Sequence, residues 1–234
     1  MTSRLITRKN YNEINRAMQV GDVIAFGGDS LFSKWTKLTT NSSVTHTAVI
    51  VDPDFGESTD DGCTNCVAES TVFNGKSGVM FNSLSERVKT YQGDIWWLPL
   101  AEGARETLEH NKINFNDFLQ EQQGKKYDIW QLFGSTVDAT DSVPLLHHLS
   151  RNTEDFSSWF CSELVAAAFN IAGVTNRVNA SEVTPIDLCQ FNIYAENYIQ
   201  FKGEEKDITG INSLVPDGWG HHFDKIKLND DPVI

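Results

Sequence analysis

An α+β fold with a small antiparallel or mixed sheet is predicted by three features of the sequence. Val44 to Val51 alternates strictly, with Val44, His46, Ala48 and Ile50 on one face and Thr45, Thr47, Val49 and Val51 on the other. Cys66 to Phe73 is a second run of strand character. Cys161, Leu164, Val165, Ala168, Phe169 and Ala172 then fall on one helical stripe that ends at Gly173. Strands early and a regular apolar helix late describe a sheet packed against that helix.

The remaining elements follow in chain order. Residues 10 to 19 read as a short amphipathic helix closed by the turn signal Gly21-Asp22. Val23 to Phe26 is a compact apolar run, read as a buried strand and stopped by Gly27-Gly28. Leu31, Trp35 and Leu38 sit at helical spacing before a polar loop. An acidic loop from Asp52 to Gly62 precedes the second strand, and Gly78 to Asn82 and Ile95 to Leu98 are further strand candidates. Residues 104 to 122 read as one helix burying Leu108, Phe115, Phe118 and Leu119. Gly124 to Asp128 turns into another apolar helix through Phe133, and a polar loop runs from Asp138 to Ser158. The tail beyond Lys202 is charged and weakly patterned.

The 234 residues suit one domain spanning 1–234, and 40% hydrophobic with 22% charged residues is a globular balance. No run approaches the ~18 apolar residues of a spanning helix, so integral membrane association is not expected. Acidic residues outnumber basic ones by 32 to 19, giving a net charge of −13. That balance opposes phosphate neutralisation and argues against nucleic acid as a partner. It suits an amine-bearing one. Met1 to Asn10 lacks the apolar core of a secretory signal. The expected location is therefore the cytoplasm, or outside it by a route that reads no cleavable signal.

Four cysteines in this length do not make a disulfide scaffold. Cys63 and Cys66 form one CxxC with no second pair to complete a zinc site, so no metal is expected. Cys189 reads as a small packed hydrophobe. Cys161 differs, because it stands at the expected start of the late helix, where the helix dipole and unpaired N–H groups favour a thiolate and a developing oxyanion. Its plainer reading is a buried residue of the apolar stripe. A nucleophilic thiol needs a base and a group to orient that base. His46 is the histidine placed within a strand, and Glu69 in the following strand would face it across an antiparallel pair. Taken singly, these residues read equally as a satisfied core histidine and a strand-edge carboxylate.

Their order carries more. Gly21-Asp22-Val23-Ile24-Ala25-Phe26, Thr45-His46-Thr47-Ala48-Val49-Ile50-Val51, Val67-Ala68-Glu69 and Phe160-Cys161-Ser162-Glu163-Leu164-Val165 together resemble the circularly permuted papain-like amidases, relatives of the NlpC-type cell-wall peptidases in which histidine precedes cysteine. Gly124-Lys125-Lys126-Tyr127-Asp128 and Thr184-Pro185-Ile186-Asp187-Leu188 resemble two further segments of that family. The resemblance covers about residues 20–195 and leaves 196–234 as a C-terminal extension. Ala48 stands where the family often has glycine, and the insertion from Asp54 to Asn65 has no counterpart there.

The resemblance implies a permuted papain-like fold, with Cys161 as nucleophile, His46 as general base and then acid, and Glu69 as the orienting carboxylate. It places Tyr127 and Asp22 near the substrate and requires no cofactor. The implied function is amide cleavage in a peptidoglycan-type peptide, a muropeptide for example. An exported antibacterial effector would add a secretion machine or an immunity protein as partner. Two alternatives stand beside it: a lipid-directed thiol acyltransferase or esterase of the lecithin–retinol acyltransferase type, and a catalytically inert binding module.

Overall fold

The computed structural model describes residues 5–28, 42–52, 65–125, 153–175 and 178–210. The helix expected around Leu31 to Leu38, the segment through Phe133 with Tyr127, and Cys63 lie outside these residues. Among the described residues the chain is mixed α+β, with one seven-stranded mixed sheet and six α-helices. The strands are β1 (Leu5–Arg8), β2 (Val23–Gly28), β3 (His46–Val51), β4 (Cys66–Phe73), β5 (Lys76–Ser83), β6 (Gly93–Leu98) and β7 (Asn197–Lys202). They lie in the order β1-β7-β6-β2-β3-β4-β5, antiparallel throughout except for the parallel pair of β1 and β7.

The sheet is larger than expected because its first and last strands had not been anticipated. Four residues at one terminus carry too little periodicity to read, and β7 alternates only weakly in Asn197-Tyr198-Ile199-Gln200-Phe201-Lys202. Pairing supplies what the local pattern lacks: β7 lies between β6 and β1.

The helices are α1 (Tyr11–Ile14), α2 (Leu84–Thr90), α3 (Glu102–His110), α4 (Lys112–Gln122), α5 (Thr153–Ile171) and α6 (Pro185–Cys189). The helix expected over 104–122 is two helices, because Asn111 caps α3 with a non-helical backbone and its side chain bonds back to the Thr107 carbonyl. The first helix is shorter than expected and tightens into a 3₁₀ turn, Asn15–Ala17. The late helix starts earlier than expected, at Thr153.

Period-two alternation splits the core into two layers. Val23, Ala25, Val49, Val51 and Ala68 face α5, meeting Leu164, Val165, Ala168 and Phe169. Ile24, Phe26, Ala48, Ile50 and Val67 face the other way, toward Leu84, Trp97 and Phe201. The central strands β2 and β3 are buried along their whole length.

The Gly21-Asp22 signal is a structural corner. Gly21 adopts φ +87°, and a Cβ there would meet Leu108 at 2.6 Å, so both conformation and space call for glycine. Asp22 is fully buried, and its carboxylate accepts from the Gln19 and Leu100 backbone N–H groups (2.9 and 3.0 Å), Trp97 Nε1 (2.8 Å) and the Arg105 guanidinium (2.5 Å). A carboxylate so occupied ties β2 to β6 and α3. Asp22, expected near the substrate, is thus found buried within this network.

Candidate functional site

β3 and β4 pair from Val51 and Cys66 up to Val49 and Ala68. Beyond that point, the site assembles at the ends of the two strands. Continuing the register sets Glu69 opposite Ala48, so His46 and Glu69 are diagonal neighbours on one face. Their side chains meet, with His46 Nε2 2.6 Å from Glu69 Oε2. From the other side of the sheet, α5 brings Cys161, whose sulfur accepts from the Thr47 N–H at 3.3 Å and lies 3.7 Å from Thr47 Oγ1. The sulfur thereby lies at the backbone of the residue next to His46, and the Cys161 side chain acts on the imidazole to raise its pKa. Carboxylate, imidazole and thiol, contributed by β4, β3 and α5, thus cluster at one strand end.

Cys161 does not occupy the first turn of its helix. It lies more than two turns inside α5, where its neighbouring N–H groups belong to the helical ladder. The dipole and N-terminal oxyanion site expected from sequence are therefore not next to the sulfur. The backbone donor nearest to it comes from the strand, through Thr47.

Glu69 is fully buried and has a second set of partners that sequence reading missed. The Arg87 guanidinium sets Nε 2.8 Å from Oε1 and donates from Nη2 to Oε2 at 3.1 Å. The Nε approach is an ion-pair contact off the ideal N–H direction; Nη2 makes the aligned hydrogen bond. Asn82 Nδ2 donates to Oε1 at 2.9 Å. Arg87 is itself 6% exposed and lies against the rings of Phe73, Phe26 and Tyr91, 4.7 to 5.8 Å from their centroids. Phe26 also leans on the His46 ring at 5.3 Å.

A signal for Arg87 did exist in the sequence. Ser83 and Glu86 have the spacing of a helix N-terminus, and the Ser83 side chain accepts from the Glu86 N–H. Leu84, Arg87, Val88 and Tyr91 then share one face of α2, the face turned to the sheet.

Burial is the largest influence on His46 and pulls its pKa down. The Cys161 and Glu69 interactions overcome it and raise the imidazole to about 9. Burial likewise pushes Glu69 up, but Arg87 first, then His46 and Asn82, hold it below 4.5. His46 thus binds more protons folded than unfolded between about 6.5 and 9, so its stabilising contribution is complete below 6.5 and is lost as pH rises through 9. The Glu69 contribution is present above 4.5 and is lost as pH falls below it. Denaturant midpoints scanned from acid to alkali should fall on both flanks of a plateau between these values. His46→Gln should flatten the alkaline flank, and an unchanged alkaline fall would contradict the assignment to His46.

Access to the pair is narrow. Cys161 has no exposed surface and His46 is 8% exposed. Among the described residues no cluster of His, Cys, Asp and Glu has the makings of a metal site, and no helix is long and apolar enough to cross a membrane. Cys66 and Cys189 are buried at the start of β4 and the end of α6. No protein-family model matches the chain, and no curated protein matches it either.

Proposed function

We propose that this chain is a cysteine hydrolase that cleaves an amide bond, built on a permuted papain-like arrangement with Cys161, His46 and Glu69 as its triad. The observation that carries this reading is the His46 ring, held by a buried carboxylate at 2.6 Å, with the Cys161 sulfur 3.3 Å from the backbone N–H of the very next residue. A thiol, an imidazole and an orienting acid in that sequence of contacts constitute a nucleophile with its base. The order of the three residues along the chain, histidine first and cysteine late, agrees with the permuted family.

The steps follow from the charges. At neutral pH the imidazole carries its proton, so the resting pair is imidazolium beside sulfur. The sulfur attacks the amide carbonyl carbon, and the carbonyl π pair moves to oxygen. As the C–N bond breaks, His46 gives its proton to the departing amine, leaving a thioester on Cys161. Neutral His46 then takes a proton from water as its oxygen attacks the thioester. The C–S bond breaks with its electron pair returning to sulfur, the carboxylic acid leaves, and protonated His46 stands again beside the sulfur. Glu69 stays ionised throughout and stabilises the imidazolium whenever it forms.

A peptidoglycan-type peptide is the proposed substrate, supported by the family resemblance and by a net charge of −13 that attracts free amines. Action on competing bacteria, with an immunity protein as partner, extends the same reading. The test is mass-spectrometric digestion of purified muropeptides by the wild type and by Cys161→Ala. The wild type should release shortened peptides and the variant none. Equal cleavage by both would remove Cys161 from the chemistry, and no cleavage by the wild type would overturn the substrate class.

A further inference from the structure

We propose that Arg87 is a positioning residue for the His46–Cys161 pair, acting through Glu69, which its guanidinium holds ionised and aimed at His46 Nε2. The inference rests on the triad reading above and extends it by one residue. Three observations carry it. Arg87 contacts both oxygens of a carboxylate with no exposed surface, at 2.8 and 3.1 Å. Asn82 fixes the same carboxylate from β5 at 2.9 Å, so the contact of Oε2 with the imidazole is set from two elements. Arg87 in turn lies against Phe26, the ring that leans on His46, so one aromatic side chain frames both ends of the row.

The row runs Arg87, Glu69, His46, Cys161, and its first three members alternate in sign when the imidazole is protonated. A buried carboxylate between two cations is tolerated where a lone one is not. The titratable and charged groups acting on Glu69 and His46 from the packed elements are Arg87 and Tyr91 beside α2, Cys161 on α5, and each other on β3 and β4. Tyr91 is pushed up to about 12 by burial and stays neutral across the relevant range. Taking away the guanidinium removes the largest of the interactions that hold the Glu69 pKa down against burial, so burial draws a proton to the carboxylate. His46 then loses the anionic partner of its Nε2.

The test follows the His46 imidazole by long-range ¹H–¹⁵N spectroscopy, which requires neither turnover nor access to the sulfur. The wild type should titrate near 9. Arg87→Gln should lower that midpoint by at least about one pH unit, and Arg87→Lys, which keeps the charge but loses the fork, should restore part of the shift. Glu69→Gln and Glu69→Gln/Arg87→Gln should share one midpoint, because without the carboxylate Arg87 has nothing through which to act; this comparison stands even if Arg87→Gln alone does not fold. An unshifted or raised midpoint in Arg87→Gln, or a difference between the last two variants, overturns the role of Arg87 while leaving the triad in place. A wild-type His46 titrating near 6.5 would overturn the paired site itself, and this proposal with it.

Discussion

His46→Gln should reduce amide turnover by roughly 10²–10⁴-fold, and at neutral pH it should also lower the thermal midpoint, because the stabilising contribution of the imidazolium goes with it. Glutamine approximates the reach of imidazole and can donate an N–H to Glu69 Oε2, so the buried carboxylate keeps its neutral and cationic partners, Asn82 and Arg87. What it lacks is a proton that can be given to a leaving amine and recovered from water. Both steps of the proposed cycle need that proton, so kcat should fall far more than KM changes. Burst kinetics with an activated ester would separate the steps, because a thiol without its base still acylates slowly but deacylates more slowly still. Turnover within a factor of a few of the wild type would sink the role of His46.

Glu69→Leu should cost about 3–5 kcal/mol of stability, since it strands a buried guanidinium. For a chain of this length that is a fall of roughly 6–20 °C in thermal midpoint. Leucine fills similar volume, so the loss comes from charge and not from a cavity. Arg87 would keep its aromatic neighbours but lose the carboxylate contacts at 2.8 and 3.1 Å, and Asn82 would lose its acceptor. Adding Arg87→Met removes the stranded charge, so the double variant should recover much of the midpoint while remaining inactive. Differential scanning calorimetry of the wild type and the two variants checks this. A single Glu69→Leu protein melting within a degree or two of the wild type would mean that the ion pair contributes nothing net.

Much of the central architecture could be read before any coordinates. β2, β3 and β4 are marked by apolar runs or strict alternation, and the stripe from Cys161 to Ala172 marks the packed face of α5. His46, Glu69 and Cys161 were named from residue type and order, and the structure brings them into one cluster. Other features were hidden for identifiable reasons. β1 and β7 depend on each other across nearly the whole chain, so neither carries its own signal. Helix boundaries depend on caps, and the polar residues from Thr153 to Ser158 suit a loop and a first turn about equally. Arg87 was overlooked because a charged residue on a short helix usually faces water. Only its spacing from Leu84 and Tyr91 set it on the inner face. Asp22 shows the opposite hazard, since a residue expected near a substrate is buried in a hydrogen-bond network at the far end of β2 from His46.

The complete burial of Cys161 has a kinetic meaning. A sulfur without surface of its own meets a dissolved oxidant or alkylating electrophile only during excursions of the fold. At high reagent concentration its modification rate therefore levels off at the frequency of those excursions and no longer reports thiol nucleophilicity. The same enclosure shields the sulfur from irreversible oxidation for as long as the fold stays closed.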